Sequence, residues 1–139
     1  MKCKLLIVDD EKKMVKYLSR RLSLRGFDVK TAFNGREALL LMRDHPFDVV
    51  LLDLQMPEMD GIEALKQMKT ISPSSAVILL TGNASAAAEG KQWGALDIVL
   101  KPFDMNELIG KIHLATGQRF REEDMVENRG QGQTANFSD

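Results

Sequence analysis

Four apolar runs in this chain each deliver a polar side chain at their C-terminal end. Leu5-Leu6-Ile7-Val8 runs into Asp9-Asp10, Val49-Val50-Leu51-Leu52 into Asp53, Val77-Ile78-Leu79-Leu80 into Thr81, and Ile98-Val99-Leu100 into Lys101-Pro102. Unbroken apolar runs of this length suit strands buried on both faces, as in a parallel sheet flanked by helices. All four ends then open on one edge of the sheet, the edge where open α/β folds bind their ligands. Three carboxylates, a hydroxyl and an ammonium would share one crevice there.

Between the runs lie amphipathic stretches, so the pattern reads as βα units around a parallel sheet. The strands are expected at about residues 4–8, 27–32, 47–52, 76–80 and 97–100. The helices are expected at about 12–25, from Asn34 as cap with Glu37 at N3, at 62–69, at 84–92, and from Asp104 as cap with Glu107 at N3. The fourth helix is the least convincing, an alanine run that contains Gly90 and offers few large apolar side chains. Gly in a helix interior costs about 1 kcal/mol relative to Ala, so this helix is expected to be mobile or loosely packed. Trp93, where it meets the fifth strand, is read as a core residue; exposed, it would be a partner anchor.

At 139 residues the chain suits one domain, expected over residues 1–117, followed at 118–139 by a charged tail or linker containing Gly and Gln that is frayed or disordered. Nineteen basic and twenty acidic residues give a formal charge of −1, so no global field draws the protein to nucleic acid or an anionic membrane. Apolar stretches such as residues 76–80 are far short of the roughly 20 residues of a membrane helix, and Asp9-Asp10-Glu11 interrupts any secretory signal. A cytoplasmic location is the expectation. Cys3, the only cysteine, rules out an intramolecular disulfide and is read as a packing residue. His45 and His113 lack partners at ligand spacing and read as surface residues, while Met56 and Met59 read as loop packing.

Three converging carboxylates repel one another; a unit charge pair at about 4 Å is worth about 4 kcal/mol at an effective dielectric of 20. A hard divalent cation relieves this, and Mg²⁺ suits a site of one or two carboxylates, waters and a phosphoryl oxygen. With Asp53 as nucleophile toward phosphorus, the metal and Lys101 would stabilise charge on the phosphoryl oxygens and Thr81 would donate a hydrogen bond. Each residue taken singly has a plainer reading: Asp9 or Asp10 as a helix cap, Asp53 as a turn residue, Thr81 as a strand-end hydroxyl, Lys101 as a solvated lysine. It is the set that points to phosphoryl chemistry. Nucleotide binding is disfavoured, because the first turn is acidic where a glycine-rich turn is needed.

The residues from about 4 to 116 resemble the receiver domain of two-component response regulators. The motifs that carry the likeness are Leu-Ile-Val-Asp-Asp at 6–10, Asp-Leu-Gln-Met-Pro-Glu-Met-Asp-Gly at 53–61, Thr-Gly at 81–82, Gly-Ala at 94–95 and Leu-Lys-Pro-Phe at 100–103. The resemblance implies a flavodoxin-like (βα)5 fold with strand order 2-1-3-4-5. It implies that Asp53 accepts a phosphoryl group from a sensor histidine kinase or phosphotransfer protein. It also implies that Mg²⁺ is held by Asp10 directly, by Asp9 through water, and by Asp53 and the backbone carbonyl of Gln55. Thr81 and Lys101 would bind phosphoryl oxygens, and Lys101-Pro102 would be a cis peptide. Where the family commonly has an aromatic switch residue this chain has Ile98, so the signal would pass by a smaller rotamer change or through the helix that holds Gly90. Gln55 and Asn83 stand where the family tunes phosphoryl lifetime.

Such a protein is a switch more than an enzyme, catalysing only its own phosphorylation and dephosphorylation. Its output would be contact with a downstream protein through the fourth helix, fifth strand and fifth helix, without direct nucleic-acid or membrane binding. A homodimer through the fourth and fifth helices is left open by the same analogy. Alternatives are the receiver part of a longer transcriptional regulator, a phosphorelay intermediate, a small Asp-dependent phosphohydrolase, and a binding module that never receives phosphate.

Overall fold

The computed structural model describes residues 2–56 and 60–117. Five strands and five helices alternate: β1 (Lys4–Val8), α1 (Lys12–Leu24), β2 (Asp28–Ala32), α2 (Gly35–Asp44), β3 (Val49–Leu52), α3 (Gly61–Ile71), β4 (Ala76–Thr81), α4 (Ala84–Gln92), β5 (Asp97–Leu100) and α5 (Met105–Thr116). The strands are all parallel in the order β2-β1-β3-β4-β5, the flavodoxin-like receiver topology expected from the sequence. The tail expected over 118–139 and the loop residue Met59 lie outside the described residues.

Side chains alternate across a strand, so each apolar run feeds two cores. Leu5, Ile7, Val49, Leu51, Ile78 and Leu80 pack with Val15, Leu18 and Leu22 of α1 and Leu108 and Ile112 of α5. Leu6, Val8, Val50, Leu52, Val77 and Leu79 pack on the other face with α2 and α3. Each fully buried Leu, Ile or Val contributes about 1.5–3 kcal/mol relative to exposure, and β1, β3 and β4 hold most of these residues. Cys3 is one of the core residues.

Helix starts follow local chemistry. Asn34, Asp60, Asn83 and Asp104 each accept a backbone N–H of the first turn through a side-chain oxygen, and Glu37 reaches back to the Phe33 N–H. α1 is the exception: Glu11 holds its N-cap position without a side-chain cap bond. Neither Asp9 nor Asp10 is therefore spent on capping it.

Several boundaries differ from the sequence reading. β2 begins at Asp28 because Phe27 is still in the turn, its N–H bonded to the Leu22 carbonyl after Gly26 at φ 97°. β3 begins at Val49. α3 runs on to Ile71, whose side chain packs on the core, and stops before Pro73, which disfavours helical backbone at Ser72. Gly90 is buried, and a Cβ there would overlap Leu79 Cδ1; the other buried residue of α4 is Ala87. One expectation at the end of α4 needs correction. Trp93 is not in the core; 47% of its surface is exposed, with Lys66 Nζ 3.9 Å from the ring centroid. It caps the C-terminus of α4, where the chain turns outward before Gly94. Among the helices of the described residues none is long and apolar enough to cross a membrane.

Candidate functional site: an acidic crevice at the carboxyl edge

β1 and β3 lie side by side, yet β2 returns to the outer side of β1 and β4 to the outer side of β3. This reversal opens a crevice beyond the strand ends. Asp9 and Asp53 follow β1 and β3 directly, and the Asp53 N–H donates to the Val8 carbonyl at 2.9 Å, so the two carboxylates leave adjacent strands at the same level. Asp9 is 1% exposed and Asp53 6%. Asp10 is exposed at the rim, and oxygens of Asp9, Asp10 and Asp53 lie within 4.8 Å of one another.

Each buried carboxylate divides its oxygens. Asp9 Oδ1 accepts the Glu11 N–H and Asp53 Oδ1 the Gln55 N–H, both at 3.0 Å, which fixes the two loops around the crevice. The Oδ2 atoms face Lys101, whose Nζ is 3.0 Å from Asp9 and 3.5 Å from Asp53. Lys101 reaches this point because β4 and β5 are paired to their ends, with Thr81 opposite Leu100 and the Lys101 N–H donating to the Thr81 carbonyl at 2.9 Å. Thr81 is fully buried and its Oγ1 accepts the Asn83 N–H. Gln55 is exposed, held against Asp53 by that N–H. The Lys101-Pro102 peptide is cis, and Pro102 is exposed.

Ile98 stands apart from the crevice. It is half-buried, faces Leu79 across the ladder, and packs on the α2–α3 side of the sheet. Its carbonyl accepts Lys111 Nζ of α5, which also bonds Asp97. Burial would raise the Asp97 carboxyl, but the Ile98 N–H and Lys111 outweigh it and hold the pKa low.

Electrostatics follow from this packing. Burial pushes Asp53 from 3.8 up to about 6, with the Asp9 charge adding to the rise and the Gln55 N–H and Lys101 opposing it. For Lys101 burial acts downward, yet the hydrogen bond to Asp9 and the charges of Asp53, Asp9 and Glu11 hold its pKa above the ordinary lysine value. One ammonium against three carboxylates leaves surplus negative charge.

The family model for the response regulator receiver domain matches residues 5–113. This chain is a response regulator receiver domain. The receiver is 50% identical over 108 residues to regulatory protein AtoC of Escherichia coli, covering 76% of this chain and 23% of that protein. It is 43% identical over 111 residues to a transcriptional regulatory protein CpxR homolog of Haemophilus influenzae, covering 78% of this chain and 48% of that one. The receiver thus spans less than half the length of either relative. Among solved structures, the receiver domain of Francisella response regulator 1452 superposes with a TM-score of 0.76 at 33% identity, covering 82% of this chain and 96% of that one. Vibrio cholerae chemotaxis protein CheY4 gives 0.77 at 31%, covering 83% and 99%.

One residue of this receiver's site escaped sequence reasoning. Gly61 starts α3 directly against the backbone of Leu54, the residue between Asp53 and Gln55. Gly61 was legible as the last residue of the 53–61 motif, but nothing in the sequence says that it abuts the backbone next to the central carboxylate.

Proposed function

We propose that this receiver accepts a phosphoryl group on Asp53 from a phosphohistidine of a sensor histidine kinase or phosphotransfer protein, assisted by Mg²⁺, and thereby switches its contacts with other proteins. The observation that carries this reading is Lys101 Nζ bridging Asp9 and Asp53 beside a third carboxylate, Asp10. The oxygen donors and their surplus negative charge fit a hard divalent ion. Asp9, Asp10, Asp53 and the Gln55 carbonyl would hold it. When bound, the ion supplies positive charge against the oxygens of the transferring group.

An Asp53 oxygen attacks phosphorus, and the phosphorus–nitrogen bond of the donor breaks with its electron pair left on the imidazole. Lys101 then pairs with phosphoryl oxygens, and the Thr81 hydroxyl donates to them. Because the Lys101 N–H is bonded to the Thr81 carbonyl, movement at either residue carries into β5, Ile98 and the Lys111 contacts of α5. The face formed by α4, β5 and α5 would in this way read the state of Asp53, with Ile98 in place of an aromatic. A groove of about 270 Å³ beside Lys101, lined by Met14, Tyr17, Pro102 and Phe103, offers a protein donor apolar contact next to the acceptor. The only reaction proposed is self-phosphorylation and its hydrolytic reversal.

The chain's coverage of less than half of its named regulatory relatives supports a second reading, that it serves as the receiver of a longer transcriptional regulator. Both readings share one test. Acetyl phosphate with Mg²⁺ should place a single phosphoryl group on Asp53, with no labelling in chelator. A label that maps to another residue would overturn the proposal.

Metal binding has its own readout. At a hundredfold excess over its dissociation constant, Mg²⁺ should stabilise the fold by about 2.7 kcal/mol. Asp10→Asn should lose most of that gain in thermal melts, while its midpoint in chelator stays close to or above wild type because one repelling charge is gone. Equal Mg²⁺ stabilisation of both proteins would remove Asp10 from the metal site.

A further inference from the structure

β5 is an edge strand: among the described residues it pairs only with β4. Thr81 lies opposite Leu100 and its carbonyl takes the Lys101 N–H, so Asp97, Val99 and Lys101 turn their backbone groups to β4, and Ile98 and Leu100 turn theirs to the open side. Such an edge is a template for another strand, and proteins blunt it with charge. β2, the opposite edge, carries exposed Asp28 and Lys30 within the strand itself. β5 reads Asp-Ile-Val-Leu, with Leu96 just before it, and Leu96 and Leu100 are 49% and 45% exposed. Beyond Asp97 the strand has no charge of its own.

The cover comes from side chains folded over the edge. Asp97 Oδ1 accepts the Ile98 N–H at 2.9 Å, and Lys111 Nζ of α5 donates to that same oxygen and to the Ile98 carbonyl, both at 3.0 Å. Lys91 Nζ of α4 donates to the Leu96 carbonyl at 3.0 Å. Both outward polar groups of Ile98, at the middle of the edge, are thus held by a charged pair that stands where an added strand would lie. What the edge would take if uncovered is set by its own sequence. Antiparallel pairing of two β5 strands about Ile98 puts Leu96 of one copy opposite Leu100 of the other, so the exposed apolar side chains meet twice and Ile98 meets itself. We infer that the Asp97–Lys111 pair is a clasp that holds the β5 edge closed against a second copy of this chain, and that opening it turns β5 into a self-complementary strand-pairing surface. This inference does not rest on phosphorylation of Asp53.

Sedimentation equilibrium of the full chain, of Lys111→Met and of Asp97→Ala, in chelator and without a phosphoryl donor, tests it. Methionine keeps the length and apolar stem of the lysine but not its donors. The dimer dissociation constant should fall by about tenfold in each variant, the worth of one or two added hydrogen bonds. Adding Leu100→Lys to Lys111→Met sets a charge on the pairing edge and should restore the wild-type value. Ile98→Pro in the same background should do so too, because it removes an outward N–H and leaves the ladder to β4 intact. Amide exchange supplies a second readout: in Lys111→Met the Leu100 N–H should gain protection as protein concentration rises, while Val99, turned to β4, keeps its rate. Variants that associate no more tightly than wild type would overturn the inference. So would association that survives Leu100→Lys or leaves Leu100 exchange unchanged, since it would then use another face.

Discussion

Asp53→Asn should be refractory to phosphoryl donors and, in the absence of metal, more stable than the native protein. The second effect follows from packing, with no appeal to function. Asp53 is buried beside Asp9, and its carboxyl titrates near 6, above the ordinary 3.8. Between those two values the folded protein retains a proton that the unfolded chain has released, so stability falls as pH rises through this window, and above about 6 the full penalty applies. A shift of about two units corresponds to about 3 kcal/mol at neutral pH. Asparagine removes the charge and its repulsion with Asp9, while Lys101 keeps its 3.0 Å bond to Asp9. The variant should therefore melt about 5–10 °C higher in chelator at pH 7.5. The difference should shrink as pH falls from 6 towards 4 and close below 3.8, where the carboxyl is protonated in both the folded and the unfolded protein. Added Mg²⁺ should raise the native protein more than the variant and narrow the gap from the other side. Melting curves across pH, with and without Mg²⁺, check this. A variant no more stable than wild type at pH 7.5 in chelator would mean that the crevice does not strain Asp53 as described.

That strain explains why the site was readable from sequence while parts of its support were not. Strands buried on both faces must be written as unbroken apolar runs, so Leu5–Val8, Val49–Leu52 and Val77–Leu80 betray both their identity and the place where they end. Parallel topology then brings Asp9, Asp53, Thr81 and Lys101 to one edge, a consequence of chain direction that needs no knowledge of side-chain contacts. The division of labour among the carboxylate oxygens was not legible, because Asp9 and Asp53 each bind a backbone N–H two residues on while pairing with a lysine 92 and 48 positions away, respectively. The close approach at Gly90 was not legible for a related reason. Helix propensity weighs a glycine by its backbone alone, whereas here the lack of a side chain lets α4 approach Leu79, a contact set by tertiary packing. Trp93 was misread because its size suggests burial. Its position at the end of α4 turns it outward, and Lys66 from α3 covers one face of the ring.

Gly61→Ala should be among the most damaging single-methyl additions in the domain. A Cβ at Gly61 would lie 2.7 Å from the Leu54 carbonyl carbon and closer still to its Cα and oxygen. These are backbone atoms of a buried residue, so no rotamer change can relieve the overlap. Overpacking of this kind costs about 1–3 kcal/mol when side chains can yield, and the upper end or more is expected where they cannot. Either α3 moves outward, opening the packing of Ala64, Leu65 and Met68, or the Leu54 backbone shifts and carries with it the Gln55 N–H that holds Asp53 Oδ1. The melting midpoint should fall by about 10 °C. In the second case phosphoryl acceptance from acetyl phosphate should slow, even at temperatures where the variant is fully folded. Gly110→Ala supplies the contrast: it lies exposed inside α5, an added Cβ meets nothing within 4 Å, and alanine there should stabilise by about 0.4–1 kcal/mol with no effect on labelling. The opposite signs of one chemical change would separate glycine kept for close approach to the acceptor loop from glycine that merely loosens a helix. A Gly61→Ala protein as stable and as reactive as wild type would mean that α3 does not hold the Asp53 loop in place.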